Sequence, residues 1–244
     1  MKTSRSAQVF ITLIILSGFA VLANGVMHAQ SADHVRFVSF LLVACLAARL
    51  KVQLPGLTGT MSVNLPFILV AVAEMSPSEA MAVACFSTFV QCLPRGSQKF
   101  NNVQAIFNFT NMALVVAATR FFFGFPAFNN AVPSRALMLA LAAGAFFIVN
   151  TIPVAIVISL TEAKNALTIW GNIFQLSFPY FVASAGIAGL VLTASAKIGW
   201  QVPLFVLPVM FGVFHSYRRY FGGAAEKAPA PVRMAARTAA ATGD

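Results

Sequence analysis

Eight apolar stretches follow one another between Val9 and Tyr217, separated by short connectors that carry most of the chain's few charges. No connector among them is long enough to hold a soluble domain, so the stretches must bury one another or face lipid. A bilayer core roughly 30 Å thick asks for about 20 apolar helical residues, fewer where the ends reach the headgroups. Against that length the spans are Val9 to Met27, Val35 to Leu50, Val63 to Met75, Pro77 to Leu93, Val103 to Phe122, Arg135 to Leu160, Gly171 to Ala196 and Val202 to Tyr217. The third and fourth are short and read as the two arms of a helical hairpin. A water-soluble globule is excluded by composition, since 9% of the residues are charged where a soluble domain carries about a quarter. The expected fold class is all-α: a polytopic membrane helical bundle of about eight transmembrane helices over residues 1–222, followed by a disordered cytoplasmic tail over 223–244.

The basic residues orient this bundle, because cytoplasmic loops retain Lys and Arg near the membrane. Eight spans put both termini on one side, together with every Lys and Arg except Arg36, Arg120, Arg135 and Lys197. Both termini are therefore expected in the cytoplasm, and topology alone accounts for the net charge of +10. No nucleic-acid partner is needed. At the amino end, Lys2 and Arg5 precede an apolar run, and Ala29, Gln30 and Ser31 follow it as at a signal-peptide cleavage site. The run nearly reaches spanning length and the next span begins within a few residues, so a retained helix is expected.

Metal and redox chemistry find little footing. Cys45, Cys85 and Cys92 fall within spans as small apolar residues, and His28, His34 and His215 sit near span ends without closely spaced ligand partners. No metal and no cofactor is expected. No Ser-His, paired-carboxylate or Cys-His arrangement lies within the spans, so nothing supplies a nucleophile with its base, and the chain is not expected to be an enzyme.

The hairpin has the sharpest local signals. Pro55, Gly56 and Gly59 make a turn-rich approach to SVNLPFILVAVAEMSPSEAM. Asn64 is placed to cap the first arm through its side-chain oxygen, and Pro66 falls in the first turn, where its missing N–H costs nothing. Ser76, Pro77 and Glu79 then read as N-cap, first and third helical positions of the second arm, a capping box with an N1 proline.

The strings LPGLTGTMSVNLPFILVAVAEMSPSEAM, FNFTN, FPYFVASAGIAGL, GWQVPLFVLPVM and HSYRRYFG together resemble the amino-terminal multi-helix membrane region of bacterial HD-GYP and GGDEF cyclic-di-GMP signalling proteins, over roughly Arg36 to Gly222. The resemblance implies an input module in the bacterial cytoplasmic (inner) membrane that acts on a cytoplasmic output. Neither an HD-GYP nor a GGDEF sequence follows Gly222 in this chain, and no heptad linker does. Cyclic-di-GMP chemistry is therefore not carried over.

Polar residues inside spans cost several kcal/mol unless they face protein or water, so each one is informative. Asn108 and Asn111 share a face of the fifth span, Asn150 lies mid-way along the sixth, and Gln175 lies in the seventh. Converging, these four would line a central pocket for a small polar ligand, with Pro153 and Pro179 breaking the backbone at membrane depth. The plainer alternative is that the amides hold helix to helix. Glu74, at the end of the first hairpin arm, is the acid to test for a cation or proton role. The small residues Ala183, Ser184, Ala185, Gly186, Ala188 and Gly189 should make the seventh span central. Phe121 to Phe123 and Phe146 with Phe147 are expected to face lipid.

Two functions fit these expectations. One is a stand-alone sensory or scaffold module working through a separate cytoplasmic signalling partner, in contact with the lipid bilayer and a small polar ligand. The other is a small-solute carrier or the substrate-binding subunit of one.

Overall fold

The computed structural model describes residues 4–29, 33–53, 60–94, 100–124 and 135–227. Its described α-helices are α1 (Arg5–Met27), α2 (His34–Ala48), α3 (Leu65–Glu74), α4 (Pro77–Cys92), α5 (Asn102–Gly124), α6 (Arg135–Glu162), α7 (Ala166–Ile198) and α8 (Val206–Lys227). Between α2 and α3, β1 (Lys51–Gln53) pairs antiparallel with β2 (Thr60–Ser62), Lys51 opposite Ser62. Among the described residues this small ribbon is a departure from helix that the sequence did not announce; the turn expected at Pro55, Gly56 and Gly59 lies outside them. So does the chain beyond Lys227, while α8 runs on through 223–227, which had been assigned to the tail.

Four of these helices, α1, α5, α6 and α7, are long and apolar enough to cross a membrane. α3 is not. Its ten residues rise about 15 Å, roughly half of a bilayer core. Yet every residue from Leu65 to Val72 is buried, so α3 is a half-length helix enclosed on all sides. It packs chiefly on α7 and α4, with α2, α5 and α6 completing the wall. Phe40 and Ala44 of α2, Val83 and Ala84 of α4, Val115 of α5, Leu139 and Phe146 of α6, Ala188 of α7 and Met210 of α8 join it in one core.

Local sequence explains the ends of these helices. Ser4 caps α1 by accepting from Ala7 N–H, and Asp33 caps α2 by accepting from Arg36 N–H. The capping box of α4 is found at Ser76 and Glu79, whose side chains each accept from the other's backbone N–H. α7 stops at Gly199, where φ is +121°, a conformation that glycine adopts without steric penalty.

Other expectations give way to packing. α6 and α7 run unbroken through Pro153 and Pro179, so the helical interruption at mid-bundle is the start of α3 instead. Phe146 and Phe147 are buried, not lipid-facing. Phe147 sits edge-on to Phe181 at 4.8 Å and to Phe174 and Phe178 of α7, while Trp170 donates its indole N–H to Thr151 Oγ1 at 3.1 Å. This aromatic seam fastens α6 to α7. Along α7 the small residues Ser184 and Ala188 are buried while Gly186 faces open space; among the described glycines the tightest approach lies on another helix. It is at Gly18 of α1, where a Cβ would stand 2.4 Å from the Thr110 carbonyl oxygen of α5.

Candidate functional site

The four amides expected to converge do not bond to one another among the described residues. Gln175 is exposed on the outer surface of α7, and Asn150 is half-buried on α6. Asn108 turns toward α4 and donates to Cys92 Sγ at 3.4 Å. Asn111 is the one taken fully inside, 2% exposed, with its Oδ1 lacking a hydrogen-bond partner. Pro153 is half-buried and Pro179 exposed.

A different polar group forms where α3 begins. Leu65 N–H, the first amide of the helix, donates to the hydroxyl of Tyr180 on α7 at 3.2 Å. Asn64 holds the N-cap position without making the side-chain cap expected of it. Its amide is drawn sideways instead: Nδ2 donates to Ser87 Oγ of α4 at 3.0 Å, and Oδ1 accepts from Ser62 Oγ of β2 at 2.7 Å. Pro66 brings no N–H, so it leaves one donor fewer to satisfy at a buried helix start. Tyr180 thus replaces Asn64 as the cap, from 115 residues away.

Hydrogen directions make this group continuous. Ser87 Oγ donates to Ala84 O at 3.1 Å and accepts from Asn64, which fixes the Asn64 amide. Ser62 has a single hydroxyl hydrogen, shared between Asn64 Oδ1 at 2.7 Å and Gln91 Oε1 at 2.9 Å. Close by in sequence, Thr88 Oγ1 on α4 and Ser184 Oγ on α7 are buried without partners. Ser184 lies one turn beyond Tyr180 and so shares its face of α7.

The sequence carried part of this signal. Asn64 and Gln91 stand out as amides in apolar surroundings, and Ser87 lies one turn before Gln91 on α4. Ser62 and Tyr180 give no hint of belonging with them, because their proximity depends on the ribbon and on how α7 packs against α3.

The Glu74 end of α3 is charged. Glu74 pairs with Arg36 of α2, their side chains 16% and 24% exposed. The Arg120 guanidinium of α5 donates through Nη1 to the carbonyls of Val72 and Met75, at 2.5 and 2.6 Å. Those carbonyls lie at the negative end of the α3 dipole, where a cation is favoured. Glu79 accepts from Ser76 N–H and Oγ at the start of α4. The short α3 is therefore held at both ends, by neutral hydrogen bonds where it begins and by charges where it stops.

Compared with models of protein families, with curated proteins and with solved structures, the chain matches none. Its chemistry is read from these two groups. Among the described residues no three His, Cys, Asp or Glu side chains come together as metal ligands. The group at Leu65 offers hydroxyls and carboxamides, each able both to donate and to accept, which suits recognition of a neutral or weakly charged polar molecule.

Proposed function

We propose that this protein is a membrane-embedded recognition module that binds a small polar solute beside the start of α3 and signals to a separate cytoplasmic partner, with no catalytic output of its own. The observation that carries the reading is the buried start of a half-length helix, capped by Tyr180 and ringed by Ser62, Asn64, Ser87 and Gln91. A helix that begins inside an apolar bundle presents backbone N–H groups and the positive end of its dipole at that depth. Membrane proteins that bind solutes at mid-bilayer use half-helix starts in this way. The resemblance to the input regions of cyclic-di-GMP signalling proteins supports the signalling role and a bacterial inner-membrane setting, and the distribution of Lys and Arg supports cytoplasmic termini.

A thermal-shift screen of the purified protein against polar metabolites tests this reading, since binding raises stability as the logarithm of ligand over dissociation constant. The expected result is a compound-specific shift that Gln91→Leu abolishes and Gln175→Ala keeps. If no compound shifts the wild type, or if Gln91→Leu keeps the shift, recognition at α3 is wrong.

Carriage of the solute is the second reading, favoured by the interruption of the bundle at α3. Uptake by vesicles containing this chain alone would support it, whereas binding without uptake, and capture of a cytoplasmic partner, would support the sensory role.

A further inference from the structure

The outward face of α7 differs from those of its neighbours. α1, α2 and α6 turn large apolar side chains to the outside, among them Leu13 and Leu16, Leu42 and Leu46, and Ile148 and Ile152. α7 instead exposes Asn172, Gln175, Pro179, Ala183 and Gly186. Spaced three or four residues apart, these five share one side of the helix. Neither the Asn172 nor the Gln175 side chain has a hydrogen-bond partner among the described residues.

Depth makes Gln175 costly where it stands. It lies about 10 Å along the axis from the middle of α7, inside the roughly 15 Å half-thickness of a bilayer core. Hydrocarbon gives a carboxamide nothing to bond there. Pro179 adds a second polar group at the same place. It has no N–H, so the carbonyl of Gln175, one turn earlier, loses its helical donor, while α7 runs on through Pro179 without a break. A single residue thus carries an unpaired carboxamide and a carbonyl in need of a donor, on an exposed face of a spanning helix.

We propose that this face of α7 is the interface between two copies of the chain, related by a two-fold axis along the membrane normal, with Gln175 of each copy bonded to Gln175 of the other. A carboxamide both donates and accepts, so the same residue completes the contact from either side, as a two-fold interface requires. Each amide nitrogen has two hydrogens, one for the opposing carboxamide and one for the carbonyl that Pro179 deprives. Lipid tails supply no donor, and an unrelated protein would need a matching polar group at this depth, whereas a second copy in the same orientation always brings one. Toward the far end Ala183 meets Ala183, and Gly186, with nothing within 4 Å of where a Cβ would stand, lets the two backbones come close. The interface does not depend on recognition at α3.

The test reconstitutes full chain carrying donor and acceptor fluorophores together in phosphatidylcholine liposomes and follows energy transfer as the protein is diluted with lipid. Wild type is expected to show a dissociation curve ending in monomer. Gln175→Leu should weaken association roughly tenfold, Gly186→Leu should weaken it too, and Gln175→Asn, which keeps a carboxamide, should fall between wild type and Gln175→Leu. Leu42→Ala, on the outward face of α2, should associate as wild type does. Because leucine suits lipid, Gln175→Leu should unfold in detergent no earlier than wild type, which separates lost association from misfolding. A wild type that is monomeric at every dilution, leaving the face to lipid or to another protein, overturns the proposal. So does association that Gln175→Leu and Gly186→Leu leave intact.

Discussion

Tyr180 and Gly18 show how single positions set the geometry of this bundle. The Tyr180 hydroxyl accepts the first amide of α3 in a buried setting, so Tyr180→Phe removes the acceptor and fills its place with nothing polar. The unsatisfied donor should cost about 1–3 kcal/mol, read as a lower unfolding midpoint in detergent or nanodiscs. Gly18→Ala acts by volume: its methyl would meet the Thr110 carbonyl oxygen at 2.4 Å, and α1 can relieve the clash only by moving off α5. The expected loss is about 1–3 kcal/mol. Gly25→Ala, where the nearest atom is the flexible Met81 Sδ at 3.2 Å, should cost less. Equal midpoints for the two glycine variants would contradict the close crossing of α1 and α5.

At the scale of elements, α3 is stable because others hold it, since an isolated helix of ten residues is marginal in water. Leu69→Ala, at a fully buried position, should cost about 2–5 kcal/mol, at the level of any central core leucine despite the helix's length. At the far end, a double-mutant cycle of Arg36→Gln with Glu74→Gln should give a coupling of about 1 kcal/mol, the upper end for ion pairs on exposed surfaces. Which of these supports the sequence disclosed depends on their range. The capping box of α4 spans four residues, and Ser-Pro-Ser-Glu states it outright. The Tyr180 cap joins residues 115 apart, which no spacing rule can reach. Asn108 and Asn111 share a helix face by their spacing, yet one turns to α4 and the other to the interior, because neighbouring helices divide that face. Phe147 is buried where lipid contact was expected, because a helix apolar on all sides has no polar face to tell core from lipid.

For the molecule as a whole, the bundle encloses a half-length helix with a neutral polar group at one end and a charged one at the other. That arrangement turns the expected central cluster of amides into a different site, built from Ser62, Asn64, Ser87, Gln91 and Tyr180 and only partly visible in the amide pattern. It also gives the two ends of one helix different chemistry, neutral hydrogen bonds near Leu65 and charges near Glu74. The central claim is that α3 begins inside the bundle and is capped there by Tyr180. Hydrogen–deuterium exchange on peptides covering α3, in nanodiscs, tests it most directly. The account predicts strong protection of the α3 amides in wild type, and in Tyr180→Phe a loss of protection confined to the first turn. Exchange of α3 as fast as in the exposed connectors, or identical exchange in the two proteins, would contradict it.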